Sequence, residues 1–155
     1  MRDLQAIAAT YADIDSRLEQ DRDAAQGNTA DLQRIDEKQR FNDQAYFILC
    51  WGQFEAAIDE ACRTLIRRRQ ASSRWEDRRA WDLYNPDDKR LSGLSFEERV
   101  KLILDWKGPG SRAWSLLLGY YGLRNQIAHG KVRPHRIDVS TVVGDLYLIQ
   151  GAFAQ

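Results

Sequence analysis

The chain has 155 residues, of which 43% are hydrophobic and 30% charged, and its 23 Lys and Arg balance its 23 Asp and Glu. That composition excludes a disordered, strongly charged chain and a polybasic nucleic-acid tail, and the length corresponds to one domain spanning residues 1–155. No apolar run approaches the ~20 residues of a membrane span, and acids at Asp3, Asp13 and Asp15 interrupt the start where a signal peptide carries its apolar stretch, so no membrane association and a cytoplasmic location are expected.

Zero net charge conceals an asymmetry. Residues 1–60 hold thirteen acidic and six basic side chains, net −7, and residues 61–155 are net +7. Eighteen of the 23 cations are Arg, whose planar fork suits phosphate and carboxylate groups. Cys50 and Cys62 lie twelve apart with no CxxC or His/Cys cluster, which reads as two reduced, buried thiols.

The first 85 residues contain thirteen alanines, two glycines and no proline, a composition of helices. Leu4, Ile7, Tyr11, Ile14 and Leu18 recur at spacings of three and four, giving an amphipathic helix of about 20 residues that ends at Gln26-Gly27-Asn28-Thr29. From about Ala30 to Gln70 runs a second, long helix whose Phe47, Trp51, Phe54, Ile58, Ala61 and Leu65 keep the same rhythm. Its front part, Asp36 to Asp43, is polar apart from Phe41; projection from the bundle, a partner chain or a break all fit that pattern.

Residues 71–94 lose the periodicity and read as an ordered connection with room for one short helix. Ser95-Phe96-Glu97-Glu98 is a capping box opening a helix with Phe96, Val100, Ile103 and Leu104. Lys107-Gly108-Pro109-Gly110 ends it, and Ser111 is the expected cap of the next, which carries Trp114, Leu117, Leu118 and Tyr121. A last helix spans Asp138 to Ala152, with Val139, Val142, Val143, Leu146, Ile149 and Phe153 inward. The fold class is all-α, a bundle of about five helices with a long second helix.

A GxxxxGK[ST] loop, GxGxxG, GxSxG and HExxH are all absent, and two histidines are too few for most protein zinc sites, so no metal or cofactor is expected. One segment concentrates chemistry: Tyr121-Gly122-Leu123-Arg124-Asn125-Gln126-Ile127-Ala128-His129-Gly130-Lys131. On a helix Asn125 and His129 lie about 40° apart and can touch, whereas Arg124 lies about 140° from His129. Convergence of the two therefore needs a distorted helix near Gly122 or a contribution from two copies of the chain, as at a two-fold interface. An imidazole moves protons near neutral pH, and a guanidinium holds phosphate and stabilises the charge that builds on it. Together they suffice for metal-free RNA cleavage by attack of the 2′-hydroxyl on the adjacent phosphate.

Residues 123–130, LRNQIAHG, resemble the Arg-x4-6-His signature of the HEPN superfamily, helical domains of many prokaryotic toxins and defence ribonucleases; the Asn after the Arg and the Gly after the His match its common form. The late position of the motif and the long second helix are similar as well. The resemblance implies a HEPN-like fold and a metal-independent endoribonuclease, with Arg124 and His129 as catalytic pair and Asn125 as positioning residue. It also implies an acid on the long helix that orients the Arg, for which Glu55 and Asp59 are both candidates. A homodimer joined through the motif-bearing face, an RNA substrate, a toxin or defence role and an antitoxin protein as partner follow from the same resemblance. Members regulated by nucleotidyltransferases have a Tyr two residues beyond the His; Lys131 stands here, so that regulation does not carry over, although Tyr120 and Tyr121 are near. Lys131, Arg133 and Arg136 instead extend a basic stretch suited to RNA.

Each signal has an ordinary structural reading beside it. His129-Gly130 is also a good helix C-terminus. The run Arg63, Arg67, Arg68, Arg69, Arg74, Arg78 and Arg79 is also a solvated face or a set of internal ion pairs, and Trp75 and Trp81 are packing residues as readily as base-stacking ones. His135 reads as a surface-loop residue. The alternative to the nuclease is a HEPN-like dimerisation, RNA-binding or regulatory module that does not cleave; a purely structural helical protein is a third reading. The nuclease reading requires that the guanidinium and the imidazole open into a shared cleft made by paired subunits.

Overall fold

The absence of Pro and the scarcity of Gly in the N-terminal half produce a long helical hairpin. The computed structural model describes Met1 and residues 3–88, 91–131 and 134–153. Helix α1 (Leu4–Ala24) turns through Gly27, which has a φ of +95°, into α2 (Thr29–Gln70), and Asn28 caps α2 by accepting from the Asp31 N–H. The hairpin is antiparallel: Tyr11 meets Asp43, Glu19 meets Gln39 and Arg22 meets Asp36. After α2 come a four-residue helix α3 (Trp75–Arg78), a 3-10 turn (Leu91–Gly93), α4 (Phe96–Ile103), α5 (Ser111–Ala128) and α6 (Val139–Gly151). The protein is all-helical, with six α-helices and no named strand among the described residues. The sixth is α3, the short helix of the long connection. No helix among the described residues is long and apolar enough to cross a membrane.

Helix α2 is the axis. Its buried stripe Phe47, Cys50, Trp51, Phe54, Ile58, Cys62, Leu65 and Ile66 receives Val100 and Ile103 of α4, Leu117 of α5, and Val142, Leu146 and Ile149 of α6. At ~1.5–3 kcal/mol for each large apolar side chain removed from water, this stripe is the main source of stability. Of the neighbours Leu117 and Leu118 on α5, Leu117 is fully buried and Leu118 is 36% exposed.

The front of α2 neither projects nor breaks. It continues unbroken and packs on α1 with an inverted pattern: Gln39 and Asp43 are buried while Phe41 is 57% exposed. Asp43 can be buried because it is bonded, and Gln39 is bonded through its Nε2 while its Oε1 is buried without a partner. Asp43 accepts from Tyr11 Oη at 2.9 Å, Arg136 Nε at 2.7 Å and the Ile137 N–H at 3.0 Å, and Gln39 Nε2 donates to Glu19 at 2.6 Å. Burial, with the bond to Asp43, pushes the Tyr11 phenol above its ordinary value. Gln39 donates to Glu19 and is the largest cause holding that carboxyl below its usual range.

Local signals account for the shorter helices. Ser95 accepts from the Glu98 N–H while Glu98 accepts from the Ser95 N–H, so the capping box of α4 is complete. Helix α5 starts one residue earlier than the sequence suggests: Gly110 is the N-cap and Ser111 the first helical residue. A Cβ at Gly110 would sit 2.6 Å from the Asp105 carbonyl oxygen, a distance that only glycine avoids in this turn. Gln70 Nε2 donates to the Trp81 and Tyr84 carbonyls, and Arg63 donates to those of Pro86 and Asp88, fastening the long connection to the end of α2.

Two outcomes test this packing. Burial pushes the Cys50 thiol to about 11 and that of Cys62 to about 12, so at pH 8 a water-soluble alkylating reagent should label neither in the folded chain and both after denaturation, read by mass spectrometry. Ser95→Ala should cost about 1 kcal/mol in urea unfolding. The Ser95 side chain, then its backbone N–H, holds the Glu98 carboxyl below its ordinary 4.5. A depressed carboxylate stabilises the fold above its unfolded value and loses that contribution as pH falls through the folded one, so the variant should show a shallower loss of stability below about pH 4.5.

Candidate functional site

Helix α5 carries the LRNQIAHG segment at its C-terminal end. Leu123 and Ile127 pack against the core, which leaves Arg124 and Asn125 half-buried and turns His129 out to solvent. The helix closes in a Schellman motif: the Gly130 N–H donates to the Ile127 carbonyl at 2.9 Å, the Lys131 N–H donates to that of Gln126 at 3.0 Å, and Gly130 has a φ of +75°. His129 is the C-cap, with its own N–H on the Asn125 carbonyl. The ordinary reading of His129-Gly130 as a helix terminus is therefore correct, and it coexists with an exposed imidazole.

Arg124 is held from two sides. Its Nη1 donates to Asn125 Oδ1 at 3.1 Å, and its Nη2 stands 3.9 Å from Glu55 Oε2 on α2. Of the two acids weighed as its orienting partner, the geometry brings Glu55 to it. Asp59, one turn on, instead pairs with Arg99 of α4. The Glu55 pair is longer than a hydrogen bond, so it fixes the direction of the guanidinium while leaving donors unfilled.

Two hollows flank α5. Glu55, Arg124, Tyr121, Phe96 and Arg99 line a polar cleft of about 470 Å³. Phe41, Ala45, Ile48 and Leu49 of α2 with Ile127 and Gly130 line an apolar groove of about 550 Å³; Phe41 and Leu49 are 57% and 52% exposed. On α2, Phe41, Ala45, Ile48, Gly52, Glu55 and Asp59 follow one another at three- and four-residue spacing, so both hollows open along a single helix face. Within one chain Arg124 opens into the polar cleft and His129 is exposed at the helix end, with no hydrogen bond between them among the described residues.

Of the other residues expected at an RNA surface, Lys131 is exposed and Arg133 lies outside the described residues. Arg136 is placed differently from the expectation. Its guanidinium donates to Asp15 at 2.5 Å, Glu19 at 3.3 Å and Asp43 at 2.7 Å. Burial opposes its charge, but the bonds to Asp43 and Tyr11 outweigh this and raise its pKa further. It is the strut between the acidic hairpin and the segment after α5, and a polyanion would have to displace three carboxylates to use it. The arginine run also finds partners close by: Arg67 with Asp87, Arg74 with Asp77 and Arg78 with Asp82. Trp81 packs against the core, whereas Trp75 is 58% exposed beneath Arg79.

Tyr120 donates to Asp145 of α6 at 2.6 Å, and Tyr121 stacks on Phe96, so both tyrosines before the motif have packing roles. No group of three or more His, Cys, Asp or Glu placed to hold a metal ion is present among the described residues. No family model matches the chain, nor does any curated protein or solved structure.

The strut has a measurable cost. Arg136→Ala strips Asp43 of its cation and leaves it only Tyr11 and the Ile137 N–H. Removing one member of a buried pair costs ~3–5 kcal/mol, and the partial exposure of Arg136 brings the expected loss to about 2–3 kcal/mol in chemical denaturation. Arg136→Lys should lose less, because one donor still reaches Asp43.

Proposed function

We propose that this chain is a metal-independent endoribonuclease of HEPN type. The observation that carries the reading is the state of Arg124: half-buried on α5, aimed by Asn125 and Glu55, lining an open cleft, with donors left over for a phosphate. His129 lies five residues on, exposed at the helix end.

In this reading His129 takes the proton of a ribose 2′-hydroxyl or gives one to the departing 5′-oxygen. Imidazole is the side-chain group that both accepts and donates a proton near neutral pH. The 2′-oxygen forms a bond to the adjacent phosphorus, the bond to the 5′-oxygen breaks, and Arg124 stabilises the charge that accumulates on the non-bridging oxygens. Arg124 lines the polar cleft and His129 does not, so in this reading a second copy completes the site. A second copy laid across the α2–α5 face covers the apolar groove at Phe41, Ile48 and Leu49 and brings its own Arg124 and His129 to the same seam. The homodimer is thus part of the active unit, and the cytoplasm, where RNA and a neutralising antitoxin would be met, is its proposed location.

A second reading, a HEPN-like module that binds RNA or mediates dimerisation without cleaving, is favoured by the helix-capping role of His129 and Gly130, which accounts for that pair without chemistry.

An RNA digest in the presence of chelator separates them. The wild-type chain should cleave; Arg124→Ala and His129→Ala should each lower the rate at least ~100-fold while remaining folded, and Glu55→Gln should lower it less, about tenfold, because it loosens Arg124 without removing it. An inert wild-type chain that still binds RNA means the second reading. Leu49→Asp should yield a monomer by sedimentation and should lose cleavage with dimerisation.

A further inference from the structure

The polar cleft contains a second guanidinium that the motif does not include. Arg99 comes from α4, one turn past the Ser95 cap, and is brought beside Arg124 only because α4 and α5 both pack on α2. One terminal nitrogen pairs with Asp59. The Nε is buried without an acceptor, and no acceptor faces the other terminal nitrogen among the described residues. A cation used purely as a strut would have its donors filled, as Arg136 does in this same molecule.

The rest of the cleft fits the same ligand chemistry. Tyr121 stacks on the buried Phe96 with centroids 4.4 Å apart and planes 14° apart, and Arg99 lies over Phe96 at 5.9 Å, so packing positions the Arg99 side chain at the cleft. The volume, about 470 Å³, lies in the ordinary range of small-ligand sites. Each cation is held by one carboxylate, Asp59 or Glu55, and each keeps unfilled donors, which suits an anion able to accept from two forks at once. A single carboxylate would use one fork; a chain of phosphodiesters uses both.

We infer that Arg99 forms a phosphate subsite for single-stranded RNA, in which it binds the phosphodiester next to the one held by Arg124. The inference rests on the reading of Arg124 as a phosphate ligand, but not on cleavage. Arg99 is a binding residue here: it sets which phosphate lies under Arg124, and takes no part in proton transfer.

The test is fluorescence anisotropy with a labelled single-stranded 2′-O-methyl RNA, which lacks the attacking hydroxyl, titrated with the intact chain at several salt concentrations. Arg99→Ala should bind about tenfold more weakly. The slope of log affinity against log salt should become shallower by about 0.7, the loss of one phosphate contact on a single strand. Asp59→Asn, which keeps the cation and releases its fork, should bind at least as well as wild type. The double variant Asp59→Asn, Arg99→Gln leaves net charge unchanged and should still show the loss, with circular dichroism reporting that each variant is folded. Wild-type affinity and slope in Arg99→Ala, no binding by the wild-type chain, or equal weakening by Asp59→Asn would each overturn the subsite. Arg99-dependent binding without any cleavage keeps the subsite and refutes the nuclease; cleavage that needs Arg124 and His129 while binding ignores Arg99 does the reverse.

Discussion

A single buried carboxylate organises this molecule. Asp43 sits fully enclosed in the middle of α2 and is tolerated there because Tyr11 from α1, and Arg136 with the Ile137 N–H from the segment between α5 and α6, all donate to it. An isolated charge in that position would cost far more than a small domain can spare, so the three chain segments must meet at that point. The opposite net charges of the two halves meet here too, through Arg136 against Asp15, Glu19 and Asp43. With the segment after α5 pinned to the hairpin, the C-terminal end of α5 keeps a fixed position on α2, leaving Arg124 over Glu55 and His129 at the helix end.

What the sequence displays well is whatever depends on neighbours within a turn or two. The three-four rhythm of Phe47, Trp51, Phe54 and Ile58 marks the buried face of α2, and Ser95 with Glu98 marks the start of α4 to the residue. What it hides depends on partners far away along the chain. Gln39 and Asp43 look like surface and Phe41 like core, and the structure reverses both, because the partner of Asp43 is 93 positions distant and Phe41 faces an uncovered groove. The same holds at the site. Arg124, Asn125 and His129 stand together in eight residues, but the acid that aims Arg124 was narrowed only to Glu55 or Asp59, since both lie on one face of α2. The choice is made by Arg99, which comes from 40 positions further on to occupy Asp59. Nothing near Arg99 in the sequence announces that it shares a cleft with the motif.

The α2–α5 face carries two kinds of unfinished business side by side. At one end are guanidiniums with donors to spare; at the other Phe41 and Leu49 stand in water. In the proposed function a polyanion fills the first and a second copy of the same surface covers the second. Under the proposed function the dimer is what lets an arginine and a histidine about 140° apart on one helix work on one phosphate.

Mixing two inactive variants tests that composite site most directly. Arg124→Ala and His129→Ala chains, each without cleavage alone, are dissociated together and allowed to reassociate before the RNA digest. If each site takes its arginine from one chain and its histidine from the other, half of the reassorted dimers contain one intact site, and the mixture recovers about a quarter of wild-type activity. A mixture as inert as its two components, formed from dimers shown to have exchanged, would contradict it.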